Sequence, residues 1–296
     1  MRPIDRGYDE GVIPHPQRDE ASVRPVAPRA ANVVDRWAIG SAYEAFMGRW
    51  SRPLAKQFVE RLGVEPRCHW LDVGCGTGAL TAAICEFGRP ASVVACDPSG
   101  PFLEAASSTL ADKRVMFELG DGEHLPDREG GFDAIVSGLT LNFVPDPVRA
   151  LAAMRRRTSS HGIVAAYVWD YAGGMDLLNP FWQAAVELDP AAAQLDEARR
   201  FTICNPDNLT AAFRAAGLVG VNVDRLQVAL QLTGFEDYWT PFLGRTGPAP
   251  SYVAALSAPA RERLKERLRE RLVPGGDGPI TLEAHAWAVC GSPPSA

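Results

Sequence analysis

Gly74, Gly76 and Gly78 alternate through the stretch WLDVGCGTGAL, directly after a short apolar run that carries an acid. Glycine reaches backbone angles closed to other residues and puts no Cβ against its neighbour, so this turn is shaped for a ligand that lies on the backbone. A helical stretch follows, and the free N–H groups at its start welcome a phosphate or a carboxylate. Acids recur at the ends of three successive apolar runs: Asp72 in WLDVG, Asp97 in VVACD and Asp121 in ELGDGEHLP. Such a set, glycine turn plus spaced carboxylates, is the equipment for holding a nucleoside.

In open α/β sheets the first strand-to-helix turn is the usual anchor for a ligand beyond the strand ends. Two cofactor classes use it, dinucleotides and S-adenosylmethionine. Gly74, Gly76 and Ala79 satisfy G-x-G-x-x-A, so the glycines alone admit both. The acids separate them. Asp72, two residues before the first glycine, favours an ammonium and repels a pyrophosphate. Asp97 suits two ribose hydroxyls of either cofactor, and it also suits a helix cap. Asp121 is placed for the exocyclic amine of an adenine. A Tyr-x-x-x-Lys pair for hydride transfer is absent, the lysines being Lys56, Lys113 and Lys265. The balance favours a cationic nucleoside.

The elements that position these residues read as an alternation. Apolar runs at HWLDVG, ASVVACD, RVMFELGD, GFDAIVSG and GIVAAYVWD are separated by helical stretches such as TGALTAAICEFG, SGPFLEAASSTLA and DPVRALAAMRRR. Short apolar strands between helices predict a doubly wound α/β domain with a parallel sheet. NPDNLTAAFRAAGL then reads as a helix, with VGVNVDRLQVAL and TLEAHAWAVCG as further strands. Two aromatic-rich stretches, 171–206 and 234–278, interrupt the scheme and are expected beside the ligand end of the sheet, as substrate-side helical insertions. Within the second, ARERLKERLRERL reads as a solvated amphipathic helix. Residues 33–62 predict two helices with a break near Gly48. Residues 1–32, rich in Pro and charge without apolar periodicity, are expected to be a disordered arm.

Composition bounds the partners. The 296-residue chain carries a net charge of -6, the opposite of the basic field that nucleic acid demands, so a small or neutral partner is expected. No apolar run reaches the length of a membrane span and the first residues lack a secretory core, which predicts a cytoplasmic protein with no membrane partner. The six cysteines form no C-x-x-C pair and have no His at ligand spacing, so no metal is expected. Four of the five histidines precede strands or lie in the arm or in the last strand, and His124 stands beside the Asp121 loop.

These motifs together resemble the class I S-adenosylmethionine-dependent methyltransferases. DVGCGTG is similar to their first motif, CDPS to the second, GDGEHLP to the third and FDAIVSGLTLNFVPDP to the fourth, all within about 70–170. The resemblance implies a Rossmann-like seven-stranded sheet, mainly parallel with the last strand antiparallel, spanning 33–290 with 291–296 as a tail. It implies S-adenosylmethionine across the strand tips, its methionine part on Asp72, Gly74, Cys75 and Gly76, its ribose on Asp97 and Pro98, and its adenine beside Asp121, Gly122 and Glu123. YEAFMGRWSRP resembles the helical lid of small-molecule members, with Tyr43 and Arg52 as matching residues and Arg49 as competitor. Near the methyl group, Asn142, Asp170 and Tyr171 are the expected polar groups, with Asp170 the candidate base. An Asn-Pro-Pro-aromatic motif of base or Gln methyltransferases is absent, since Asn142 precedes Phe143, Val144 and Pro145. A small-molecule acceptor is the leading expectation, with a nucleic-acid or protein methyltransferase and a non-catalytic cofactor-binding regulatory protein as the alternatives. Acceptor atom and oligomeric state stay open.

Overall fold

A computed structural model describes residues 44–244, 247–276 and 278–295. The arm 1–32, residues 33–43 of the lid and Tyr43 therefore lie outside the described residues. A five-residue π turn, Glu44–Gly48, leads into α1 (Arg49–Leu62), so the break expected near Gly48 is a change of helical winding. There follow β1 (His69–Val73), α2 (Ala79–Ala83, extended by a wider turn to Gly88), β2 (Ser92–Asp97), α3 (Gly100–Thr109), β3 (Val115–Leu119), β4 (Phe132–Gly138), α4 (Pro147–Arg157) and β5 (Thr158–Trp169). The remainder is α5 (Asn179–Leu188), α6 (Glu197–Arg200), α7 (Pro206–Ala215), β6 (Val219–Leu232), α8 (Phe235–Trp239), α9 (Pro248–Ala255), α10 (Ala258–Leu272) and β7 (Ile280–Ser292).

The strands form one sheet in the order β3-β2-β1-β4-β5-β7-β6. β1 to β5 pair in parallel, and β7 runs antiparallel between β5 and β6, as the resemblance implied. The central strands are apolar on both faces because helices cover both: Trp70, Leu71, Ala134, Ile135 and Val164 are wholly buried. The order reverses between β1 and β4, which opens a crevice beyond their carboxyl ends, the place where such sheets bind ligands. Thr140 spans that crevice, its hydroxyl donating to the Gly74 carbonyl at 2.9 Å.

Register decides where the insertions go. Trp169 at the end of β5 pairs with Ala286, and Leu232 at the end of β6 pairs with Ile280 at the start of β7. Both insertions thus leave the sheet at the carboxyl end of the parallel strands, on the crevice side. Their aromatics pack into each other over it: Phe181 stacks on Phe242 at 4.7 Å between centroids, and Phe46 meets Phe242 edge-on at 5.3 Å. α10 buries Leu264 and Leu268, while its Lys265 and Arg269 pair with Glu236. Among the described residues, no helix is long and apolar enough to cross a membrane and no group of three or more His, Cys, Asp or Glu could hold a metal.

Candidate active site

A cavity of about 300 Å³ occupies the crevice, with the glycine turn on one side and aromatic side chains on the other. The turn residues Gly74 to Thr77 form part of its wall. Gly74 takes φ +75°, and a Cβ placed there would stand 2.3 Å from Thr140 Cγ2, so the residue is glycine because of the crevice-spanning threonine. Gly76 differs: it has φ +55° and open space around its missing Cβ. A side chain at Gly76 would project where a ligand must lie.

Asp97 sits at the tip of β2 on the same wall. One carboxylate oxygen accepts the Gly76 N–H at 2.9 Å and the other the Ser99 N–H at 2.8 Å. Ser99, rather than Asp97, caps α3. Burial raises the Asp97 carboxyl above the usual carboxylate range while these two N–H groups draw it back. Each oxygen keeps a lone pair, so a ribose diol could be held as well.

Asp72 is wholly buried and does not line the cavity. The Thr81 hydroxyl donates to one of its oxygens at 2.6 Å, and the other, Oδ1, has no partner among the described residues. Burial pushes this carboxyl up to about 7, with nearby Asp97 adding to the effect. An orphaned buried acceptor behind a glycine cradle, a carboxylate at the next strand tip and apolar walls fit S-adenosylmethionine. The same acids suit a pyrophosphate poorly.

The other wall is built from the helical parts. Phe46 and Met47 come from the π turn, Tyr167 and Trp169 from β5, Phe143 from the β4 loop, and Tyr171 and Leu178 from the first insertion. Among them stands Glu197, 4% exposed, at the start of α6. The indole N–H of Trp182 donates to its carboxyl. Burial drives this acid up to about 8, beyond the effect of its hydrogen bonds.

Residues 71–166 match a family model described as a methyltransferase domain. Residues 71–166 thus carry a methyltransferase domain of the class I S-adenosylmethionine-dependent type. The chain is 33% identical over 186 residues to a malonyl-[acyl-carrier protein] O-methyltransferase of Geobacter sulfurreducens, an alignment covering 62% of this chain and 66% of the relative. It is 29% identical over 133 residues to a demethylmenaquinone methyltransferase of Lactiplantibacillus plantarum, covering 43% and 56%. The chain thus spans less than two thirds of the length of these two relatives. A phosphoethanolamine N-methyltransferase of Haemonchus contortus, solved with S-adenosyl-L-methionine, shares the fold with a TM-score of 0.53 at 16% identity, over 88% of this chain and 58% of that one.

The cavity brings together Gly74, Cys75, Gly76, Asp97, Pro98 and Tyr171 of the residues expected from sequence. The remaining expected residues stand elsewhere. Asp121 is turned onto its own loop, accepting the N–H groups of Glu123 and His124 at 2.8 Å, and Glu123 pairs with Arg149 at 2.9 Å. These two, with Gly122, Asn142 and Asp170, do not line the cavity. Asn142 is buried with its Nδ2 unpartnered among the described residues, and Asp170 accepts the Gly173 N–H at 3.2 Å. Arg52 is on the exposed side of α1, and Arg49 pairs with Asp237 at 2.6 Å. Sequence reasoning missed Glu197, Thr140 and Phe46. Glu197 lies in QLDEARR, which reads as ordinary solvated charge, so no local signal marks it.

Proposed function

We propose that the chain transfers a methyl group from S-adenosylmethionine to a small-molecule acceptor. The observation that carries this reading is the continuity of one cavity from Gly74, Gly76 and Asp97 to the aromatic wall of Phe46, Tyr167, Trp169 and Tyr171. When bound, S-adenosylmethionine supplies a methyl carbon already activated by its sulfonium. The protein then has to hold the acceptor in line and exclude water. Gly74 and Gly76 let the cofactor lie on the backbone, and Asp97 takes the ribose hydroxyls. Phe46, Trp169 and Leu178 exclude water from the far side.

A mostly apolar pocket of this size favours a small molecule over a nucleic acid, and the acidic charge balance agrees. The relatives named above act on a malonyl-acyl carrier protein and on demethylmenaquinone. Calorimetry with S-adenosylhomocysteine and with NAD, followed by a metabolite screen for methylated product, tests the proposal. Saturable NAD binding without a response to S-adenosylhomocysteine would overturn it.

A further inference from the structure

Resting on the methyltransferase reading, we propose that Glu197 is the counter-ion of the acceptor subsite and that the acceptor is an amine, bound as its ammonium. Glu197 borders the cavity yet is almost wholly withdrawn from solvent. A buried carboxylate is costly unless a cation or several donors compensate it. The Trp182 N–H compensates only in part.

The charged groups facing Glu197 do not supply the missing cation. Asp196 beside it raises the carboxyl further, and Arg200 draws it down least among the influences on it, its guanidinium lying over the Phe201 ring at 5.1 Å. Across the cavity stands Asp97, another acid, and no Lys, Arg or His lines the cavity among the described residues. An anionic acceptor would meet the Glu197 carboxyl and, among the described residues, no lining cation. A cationic one would meet a carboxyl group and the rings of Phe46, Phe143, Tyr167, Trp169 and Tyr171, whose faces attract a cation.

The pairing has a proton consequence. With its carboxyl pushed up to about 8, Glu197 is mostly protonated at neutral pH in the free protein. An arriving ammonium favours the carboxylate, so the carboxyl proton leaves to solvent and the N–H groups donate to the oxygens. The same carboxylate then receives the proton that nitrogen must shed before its lone pair can act as nucleophile.

Three probes of one shape separate the possibilities: 2-phenylethylamine, 2-phenylethanol and 3-phenylpropanoate, each titrated calorimetrically into the protein with S-adenosylhomocysteine present. The amine is expected to bind at least tenfold more tightly than the other two. Repeating the titration at pH 7 in buffers of different ionisation enthalpy should show proton release on amine binding, diminishing as the pH is raised to 9. In Glu197→Gln the release should vanish and amine affinity should drop at least tenfold, with S-adenosylhomocysteine affinity within about threefold. Absent amine binding, equal or better binding of the alcohol or carboxylate, or binding without proton release each overturns the subsite; the last needs no variant and so does not depend on its folding. Failure of S-adenosylhomocysteine to bind alone would instead overturn the methyltransferase reading underneath.

Discussion

The carboxylate of Asp97 holds the backbone N–H of Gly76 at 2.9 Å, so the tip of β2 fixes the shape of the turn that follows β1. Two sequence motifs separated by a helix are thereby one structural unit. The same carboxylate that organises the turn is the one proposed to take the ribose, which couples turn geometry to cofactor affinity.

Asp97→Ala removes the acceptor for the Gly76 and Ser99 N–H groups and for the two ribose hydroxyls. Hydrogen bonds to a charged group are worth about 1.5 to 3 kcal/mol each. S-adenosylhomocysteine affinity should fall tenfold or more in calorimetry. An unchanged dissociation constant in a folded variant would confine Asp97 to a structural role.

The two glycines should respond differently. Gly74→Ala drives a Cβ into Thr140 and should lower the melting temperature as well as cofactor affinity. Gly76→Val meets open space, so its folding cost is the strain of a branched residue at positive φ, on the order of 1 to 2 kcal/mol. Cofactor binding should nonetheless be abolished. A Gly76→Val protein that binds normally would remove the turn from the site.

Aromatics of the insertions divide into wall and core. Tyr171 lines the cavity, whereas Trp239 is buried against Phe242, 6.2 Å between ring centroids, and does not line it. Trp239→Ala should therefore cost stability, about 3 to 5 kcal/mol, rather than acceptor recognition. Tyr171→Ala should weaken acceptor binding while leaving S-adenosylhomocysteine affinity within about threefold, below roughly 0.7 kcal/mol. Unfolding curves measured beside binding curves check both. A folded Trp239→Ala protein with impaired acceptor use and full stability would reverse the assignment.

Stability should decline as pH rises through neutrality. Asp72 and Glu197 bind their protons more tightly in the folded chain than in the unfolded one, their carboxyls being pushed up to about 7 and about 8. The stabilisation from this source is complete below pH 4 and is lost as pH rises through those two values. The melting temperature is expected to drop between pH 5 and pH 8, with a shallower slope in Glu197→Gln. A flat profile in the unmodified protein would mean that neither acid is held neutral by the fold.

What the sequence determined by itself is local in origin. The glycine turn, the acids at the strand tips and the alternation of apolar runs with helices depend on backbone freedom and on periodicity, both properties of neighbouring residues. They were enough for the parallel sheet and for Gly74, Gly76 and Asp97 as one site. The tertiary structure decided what depends on distant partners. Asp72 and Asp121 occupy similar places in sequence, yet one is enclosed with Thr81 and the other is turned onto its own exposed loop. Trp239 belongs to an aromatic-rich stretch expected on the substrate side and is core, packed against Phe242, which Phe46 of the π turn meets edge-on. Glu197 lies in a stretch that reads as solvated charge and is buried in the cavity wall, where the Trp182 indole N–H reaches its carboxyl. A residue's charge state follows from the dielectric around it, and that surrounding is assembled only when segments far apart in the chain pack together.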